Sequence, residues 1–142
     1  MDPMDDSTLT EEDAAIAWAF AYNAHDPLVL APILADNVRV MSRWVIHDLV
    51  GSEAYLDYLA RKFDTLERTG SAVRVEIAAT PGLNGRPCAL LEQDGVLVAT
   101  VLFDVIGGQL LQVSLGADPP PASCLRSGHY PGFDVDSDVL LN

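Results

Sequence analysis

The hydrophobic pattern of this chain changes its period at Gly70. Before it, apolar residues recur at helical spacing. Residues 11–24, EEDAAIAWAFAYNA, are rich in alanine and carry Ile16, Trp18, Phe20 and Tyr22. Apolar on most sides, they predict a helix covered by other structure on more than one face. Thr10, followed by Glu11, Glu12 and Asp13, has the form of a capping box. His25-Asp26-Pro27 ends that helix, and Asp26 as cap with Pro27 at the first turn predicts a second, short helix over 27–34. Pro32 removes a backbone donor, so this helix is expected to kink or break. Val38, Val40 and Ser42 then alternate with Arg39, Met41 and Arg43 as a strand, which Trp44, Ile46 and Val50 continue as a bent strand or hairpin. Ser52 is expected to cap a third helix over 53–68, with Tyr55, Leu59, Phe63 and Leu66 as its apolar stripe, Tyr58 at the flank and Gly70 past its end.

After Gly70 the period is two. Val73, Val75 and Ile77 mark one strand and residues 86–93 the next, and Asp94-Gly95 is a hairpin signal. Residues 96–106 are apolar on both faces and are expected to be central, and Gly107-Gly108 leads to a last strand over 109–115. Helices before, a strand meander after: the class is α+β. The expected division is a flexible acidic start over 1–9, a domain over 10–116 and an extended, Pro-rich tail over 117–142 that shows neither periodicity. Its SGHYPGF segment is expected to lie across a pocket mouth, against a partner subunit, or only loosely attached.

The 142 residues suit one domain with a single core. A net charge of −13 argues against nucleic acid, because phosphate backbones are bound by clustered Lys and Arg and the eight here are scattered. The same acidity repels anionic membranes. No apolar run approaches the ~20 residues of a membrane span, and the acidic MDPMDDSTLTEED lacks the basic and apolar regions of a signal peptide. A cytoplasmic protein is the expectation. Cys88 and Cys124 form no metal-ligand spacing, so neither a metal nor a cofactor is expected, and Cys88 reads as a small buried hydrophobe.

Two stretches, AYNAHDPLVLAPILADNVRVMS and LVGSEAYLDYLARKF, resemble the nuclear transport factor 2-like superfamily, which includes ketosteroid isomerases and SnoaL-like polyketide cyclases. The resemblance covers about residues 11–116. It implies a cone-shaped, cystatin-like fold, with three N-terminal helices packed on a curved, mainly antiparallel sheet. It also implies a pocket between the sheet's inner face and the helices, and a homodimer formed through the outer face. The ketosteroid isomerase groups do not carry over. Their first-helix tyrosine matches Trp18 here, their first-strand carboxylate matches Ser42, and their central-strand acid matches Val101. Valine cannot donate the hydrogen bond that the protonated acid supplies. The Arg-x-Asp arrangement of limonene epoxide hydrolases is absent from residues 96–106.

What remains for the pocket is aromatic and mildly polar: Trp18, Tyr22, Ser42, Trp44, His47, Tyr55 and Tyr58. That lining suits an apolar small molecule held by one or two hydrogen bonds, and it suits a filled core equally. His25-Asp26 and His47-Asp48 are adjacent acid–base pairs that equally suit structural roles, Asp26 as a helix cap. Asp104 ends the long strand and Glu92 interrupts an apolar one, and each either faces solvent or, if held in apolar surroundings, has the raised pKa of a general base. Asp134, Asp136 and Asp138 have calcium-loop spacing without its glycine or closing glutamate. Three readings stay open: a small-molecule-binding protein, an isomerase, cyclase or hydrolase using a set drawn from Tyr22, His47, Asp104 or Glu92, and a protein-interaction module.

Overall fold

A computed structural model describes residues 9–82 and 85–133 of the chain. Helix α1 spans Glu11–Ala24 and helix α2 spans Ser52–Thr69. Seven strands, β1 (Leu34–Ser42), β2 (Leu49–Val50), β3 (Val73–Ala79), β4 (Pro87–Gln93), β5 (Val96–Ile106), β6 (Gln109–Gly116) and β7 (Leu125–His129), form one sheet in the order β2-β1-β6-β5-β4-β3-β7. Only β1 and β6 pair in parallel, so the sheet is mainly antiparallel, and the class is α+β as expected. No helix among the described residues is long and apolar enough to cross a membrane.

The local signals explain most of these elements. The Thr10 hydroxyl accepts the Asp13 amide at 3.0 Å while the Asp13 carboxylate accepts the Thr10 amide at 3.1 Å, which completes the capping box. Asp94 and Gly95 both take positive φ (51° and 86°), as a two-residue hairpin with right-handed twist demands. β5 lies at the centre of the order, in keeping with its two apolar faces.

Two helices stand where three were expected. Residues after Asp26 form only a 3-10 turn, Pro27–Val29. Leu30, Ala31 and Ile33 each bond three residues back, to Pro27, Leu28 and Leu30, and Pro32 has no N–H to turn that pattern into an α-helical ladder. The strand expected from Val38 therefore starts earlier, at Leu34. Ser52 is also not the cap of α2. Gly51 holds that position at φ 106°, with no side-chain cap bond, and its amide donates to the Val38 carbonyl at 2.8 Å. Only glycine enters that backbone region readily.

The chain beyond Gly116 carries regular structure after all. Residues 118–124 pass over the outer face of β4 and β5, where the Thr100 hydroxyl donates to the Pro119 carbonyl (2.7 Å) and Cys124 joins Ala78, Cys88 and Leu90 in a small second core. Burial pushes the Cys88 thiol up to about 12. β7 then pairs with β3. Its anchor is Glu76, 2% exposed, which accepts from Arg126 Nε and Nη2 at 2.7 Å and from the Gly128 amide at 2.7 Å. Asn23 of α1 adds a second tie, donating to Val75 and Pro131 carbonyls and accepting the Val75 amide. The SGHYPGF segment thus lies along the β3 edge, at the other side of the sheet from β1 and β2. Asp134, Asp136 and Asp138 lie outside the described residues.

An Arg126→Met variant leaves a buried carboxylate without its cation. We expect a loss of about 3 kcal/mol in urea unfolding, with amide exchange accelerating first in Leu125–His129.

Candidate functional site

The inner face of the sheet is divided between the helices. α1 packs over β3, β4 and β5, and α2 approaches β1 and β2. Between α2 and the β1–β6 pair the cone stays open as a cavity of about 260 Å³. Tyr55 and Tyr58 of α2 and Tyr22 of α1 form one wall, and Val40, Ser42 and Leu115 the sheet side. Val45, His47 and Leu49, from the β1–β2 connection, border the opening. A second recess of about 260 Å³ shares Tyr22, Ser42, Tyr58 and Leu115 and adds Trp44, Lys62, Gln93 and residues of β5.

Five of the seven expected site residues, Tyr22, Ser42, His47, Tyr55 and Tyr58, line the first cavity, and Trp44 lines the second. Trp18 lines neither. It is fully buried in the core, and its indole N–H donates to the Tyr55 hydroxyl at 2.8 Å. Its ring centroid lies 4.1 Å from that of Tyr22 and 5.8 Å from that of Phe103. Tyr22 in turn meets Phe63 edge-on at 5.0 Å. One turn of α1 therefore separates a structural aromatic, Trp18, from one that reaches the cavity, Tyr22.

The phenols carry the polar character of this site. An indole nitrogen only donates, so the Tyr55 oxygen must be the acceptor in their bond, and its own proton remains available to the cavity. Tyr22 is 2% exposed, and its hydroxyl has no hydrogen-bond partner among the described residues. Burial, then the nearby Tyr55 and Tyr58, hold the Tyr22 pKa well above the ordinary phenol value. Tyr55 is likewise raised, by burial first, although the Trp18 bond favours its anion and acts the other way. Tyr58 is raised by burial alone. All three are donors across the usual working range.

The acid–base set drawn from Tyr22, His47, Asp104 and Glu92 is not assembled. Strand alternation sends Asp104 and Glu92 to the outer face, opposite the cavity. There Arg86 Nη2 donates to Asp104 at 2.9 Å and Gln112 to its other oxygen at 3.2 Å, while Glu92 sits 3.6 Å from Arg74. His47 does not bond Asp48, which instead accepts from Arg39 at 3.4 Å. His25 is the left-handed residue that ends α1, stacks on Phe63 and lies 3.0 Å from Glu67, while Asp26 accepts the Leu28 amide as a cap. No lining residue of the first cavity is a carboxylate, lysine or arginine. No group of three or more metal-binding side chains occurs among the described residues.

This architecture has close counterparts among solved structures. A SnoaL-like protein of unknown function from Burkholderia thailandensis superposes with a TM-score of 0.57 at 15% identity, over 83% of this chain and 95% of that one. An NTF2-like protein of unknown function from Cytophaga hutchinsonii gives 0.55 at 15% identity, over 79% and 95%. The fold is that of the nuclear transport factor 2-like proteins. A third such protein, from Mesorhizobium loti and also of unknown function, gives 0.54 at 16% identity over 90% of this chain. No family model and no curated protein matches the chain by sequence. Identities this low establish the fold and leave the chemistry of the cone to this chain's own residues.

Two tests separate the roles of the phenols. Tyr55→Phe removes the acceptor of a buried indole N–H, and we expect it to cost about 1–3 kcal/mol in denaturant unfolding. Tyr22→Phe removes an unpartnered buried hydroxyl and is expected to leave stability unchanged or slightly higher. The raised pKa values also fix an alkaline limit. Above the ordinary phenol pKa of 10.0, Tyr22 and Tyr55 lose protons in the unfolded chain but not in the folded one. Stability is therefore full below about pH 10 and falls above it, by up to about 1.4 kcal/mol per pH unit for each phenol. Absorbance at ~295 nm should show these phenolates appearing only together with the loss of near-ultraviolet circular dichroism.

Proposed function

We propose that this protein binds a largely apolar small molecule in the cone, held through an acceptor oxygen by Tyr22 and Tyr55. The observation that carries this is the Tyr22 hydroxyl, buried and without a partner, beside a second phenol whose proton is also uncommitted. A buried polar group left unbonded costs folding free energy, and a ligand carbonyl or ether oxygen relieves that cost on binding. The rest of the lining, with Val40, Val45, Leu49 and Leu115, supplies apolar contact. The nuclear transport factor 2-like fold, shared with SnoaL-like proteins, is in keeping with a small-molecule role. Catalysis in this cavity would rest on His47 as the base and the phenols as donors to a developing oxyanion.

A neutral two-ring ketone, 2-acetylnaphthalene, tests the reading by calorimetry and by chemical shifts of the lining residues. We expect saturable binding that perturbs Tyr22, Ser42 and Tyr58, and an affinity loss of about tenfold in Tyr22→Phe. Equal affinity in wild type and Tyr22→Phe would remove the hydroxyl from the account. No binding to the wild type would overturn the cavity reading itself.

A further inference from the structure

The basic residues of this acidic chain are nearly all committed. Arg39 pairs with Asp48, Arg68 with Asp64, Arg74 with Glu92, Arg86 with Glu11 and Asp104, and Arg126 with Glu76. Arg43 lies over the Trp44 ring, 5.9 Å from its centroid. Among the described residues, Arg61 and Lys62 make no ion pair and no hydrogen bond. They are consecutive on α2, yet only Lys62 reaches the recess beside the cavity.

Lys62 lies one turn beyond Tyr58, so Tyr55, Tyr58 and Lys62 follow one face of the helix from the cavity into the adjoining recess. It lines the recess that adjoins the cavity, together with Tyr22, Ser42, Trp44 and Gln93, and no carboxylate lines either space. Arg61 lines only an open groove along α2, which Tyr58, Lys62 and Gln93 also border, and it does not reach the recess beside the cavity. An ammonium held without a counter-ion in the recess beside an apolar cavity, in a protein of net charge −13, is an arrangement that a negatively charged ligand end completes. The overall field disfavours a multiply charged anion far more than a singly charged one. A single ammonium also neutralises a single charge.

Building on the proposed binding of an apolar molecule, we propose that the ligand is an apolar or aromatic carboxylic acid. Its body fills the phenol-lined cavity, and its carboxylate meets Lys62, with the Gln93 amide beside it in the same recess. The class excludes phosphate esters and neutral hydrocarbons as preferred ligands.

The test compares 2-naphthoic acid, ionised at pH 7, with the neutral 2-acetylnaphthalene on the full-length wild type, Lys62→Gln and Arg61→Gln. We expect naphthoate to bind the wild type more tightly than the ketone. Lys62→Gln should weaken naphthoate about tenfold and change the ketone by less than about twofold, since a charge-assisted bond is worth roughly that factor. Arg61→Gln should move neither by more than about twofold, and added salt should weaken naphthoate alone. Should the ketone bind while naphthoate shows no preference, or should Lys62→Gln leave naphthoate unchanged, the carboxylate assignment is overturned and the cavity reading stands. Loss of naphthoate through Arg61→Gln alone overturns it too, moving the anion to the outer groove. If neither probe binds the wild type, both readings fall together.

Discussion

The bond from the Trp18 indole to the Tyr55 hydroxyl fixes how the two helices sit over the sheet, and with them the shape of the cone. Trp18 is fully buried, so its N–H must find an acceptor inside the protein, and the described structure offers a phenol oxygen 2.8 Å away on the other helix. Because that oxygen is committed as an acceptor, the direction of the bond is fixed, and so is the polarity that Tyr55 shows the cavity. Trp18 also stacks on Tyr22, and Tyr22 meets Phe63 of α2, so one aromatic layer carries both helices and ends as the cavity wall. Stability and function meet at this point. The residue that braces the helices and the residue that lines the cavity are neighbours in the same aromatic layer.

The opposite face of the sheet is governed by a different constraint. Ala78, Cys88 and Leu90 would leave an apolar area on β3 and β4, and the chain's own residues 118–124 cover it. The β7 segment that follows it is held by charge and by hydrogen bonds more than by bulk, through Glu76 and Arg126 at the edge strand and Asn23 beneath Pro131. The outer face expected to carry a homodimer contact is thus partly occupied by the chain itself. What it leaves open on β5, β6 and β1 is mixed, with Asp104, Gln112 and Arg39 in one cross-strand row and Leu102, Ser114 and Met41 in the next.

The meander was readable because its punctuation is chemical: paired turn residues at Asp94-Gly95 and Gly107-Gly108, and an uninterrupted apolar strand between them. The capping box before α1 was readable for the same reason. What the pattern hid was direction. α1 is apolar on most sides, so periodicity does not tell that Trp18 points into the core and Tyr22 into the cavity. That distinction rests on a partner 37 positions away. β7 was hidden because LRSGH is a short, exposed edge strand with no apolar face, held by side chains from β3. Ser52 resembled a cap, but the geometry at the start of α2 is set by the positive φ of Gly51 and its bond to β1. The sequence left open which way Asp104 and Glu92 face, and strand alternation turns both away from the cavity.

The distribution of charge gives the cone its remaining meaning. The first cavity has no carboxylate in its lining, and Asp104 and Glu92 are turned to the other face of the sheet, each beside an arginine. Every polar group that the cavity wall presents from α1 and α2 is a hydroxyl donor held protonated by burial. Such a wall favours an oxygen acceptor over a cation and offers nothing to a metal. Lys62 extends the same preference outward, since an ammonium also only donates. From the Tyr22 hydroxyl to the Lys62 ammonium, the helix-borne groups are all donors, which is why the ligand proposed for them is apolar along its length with acceptor oxygen at its ends.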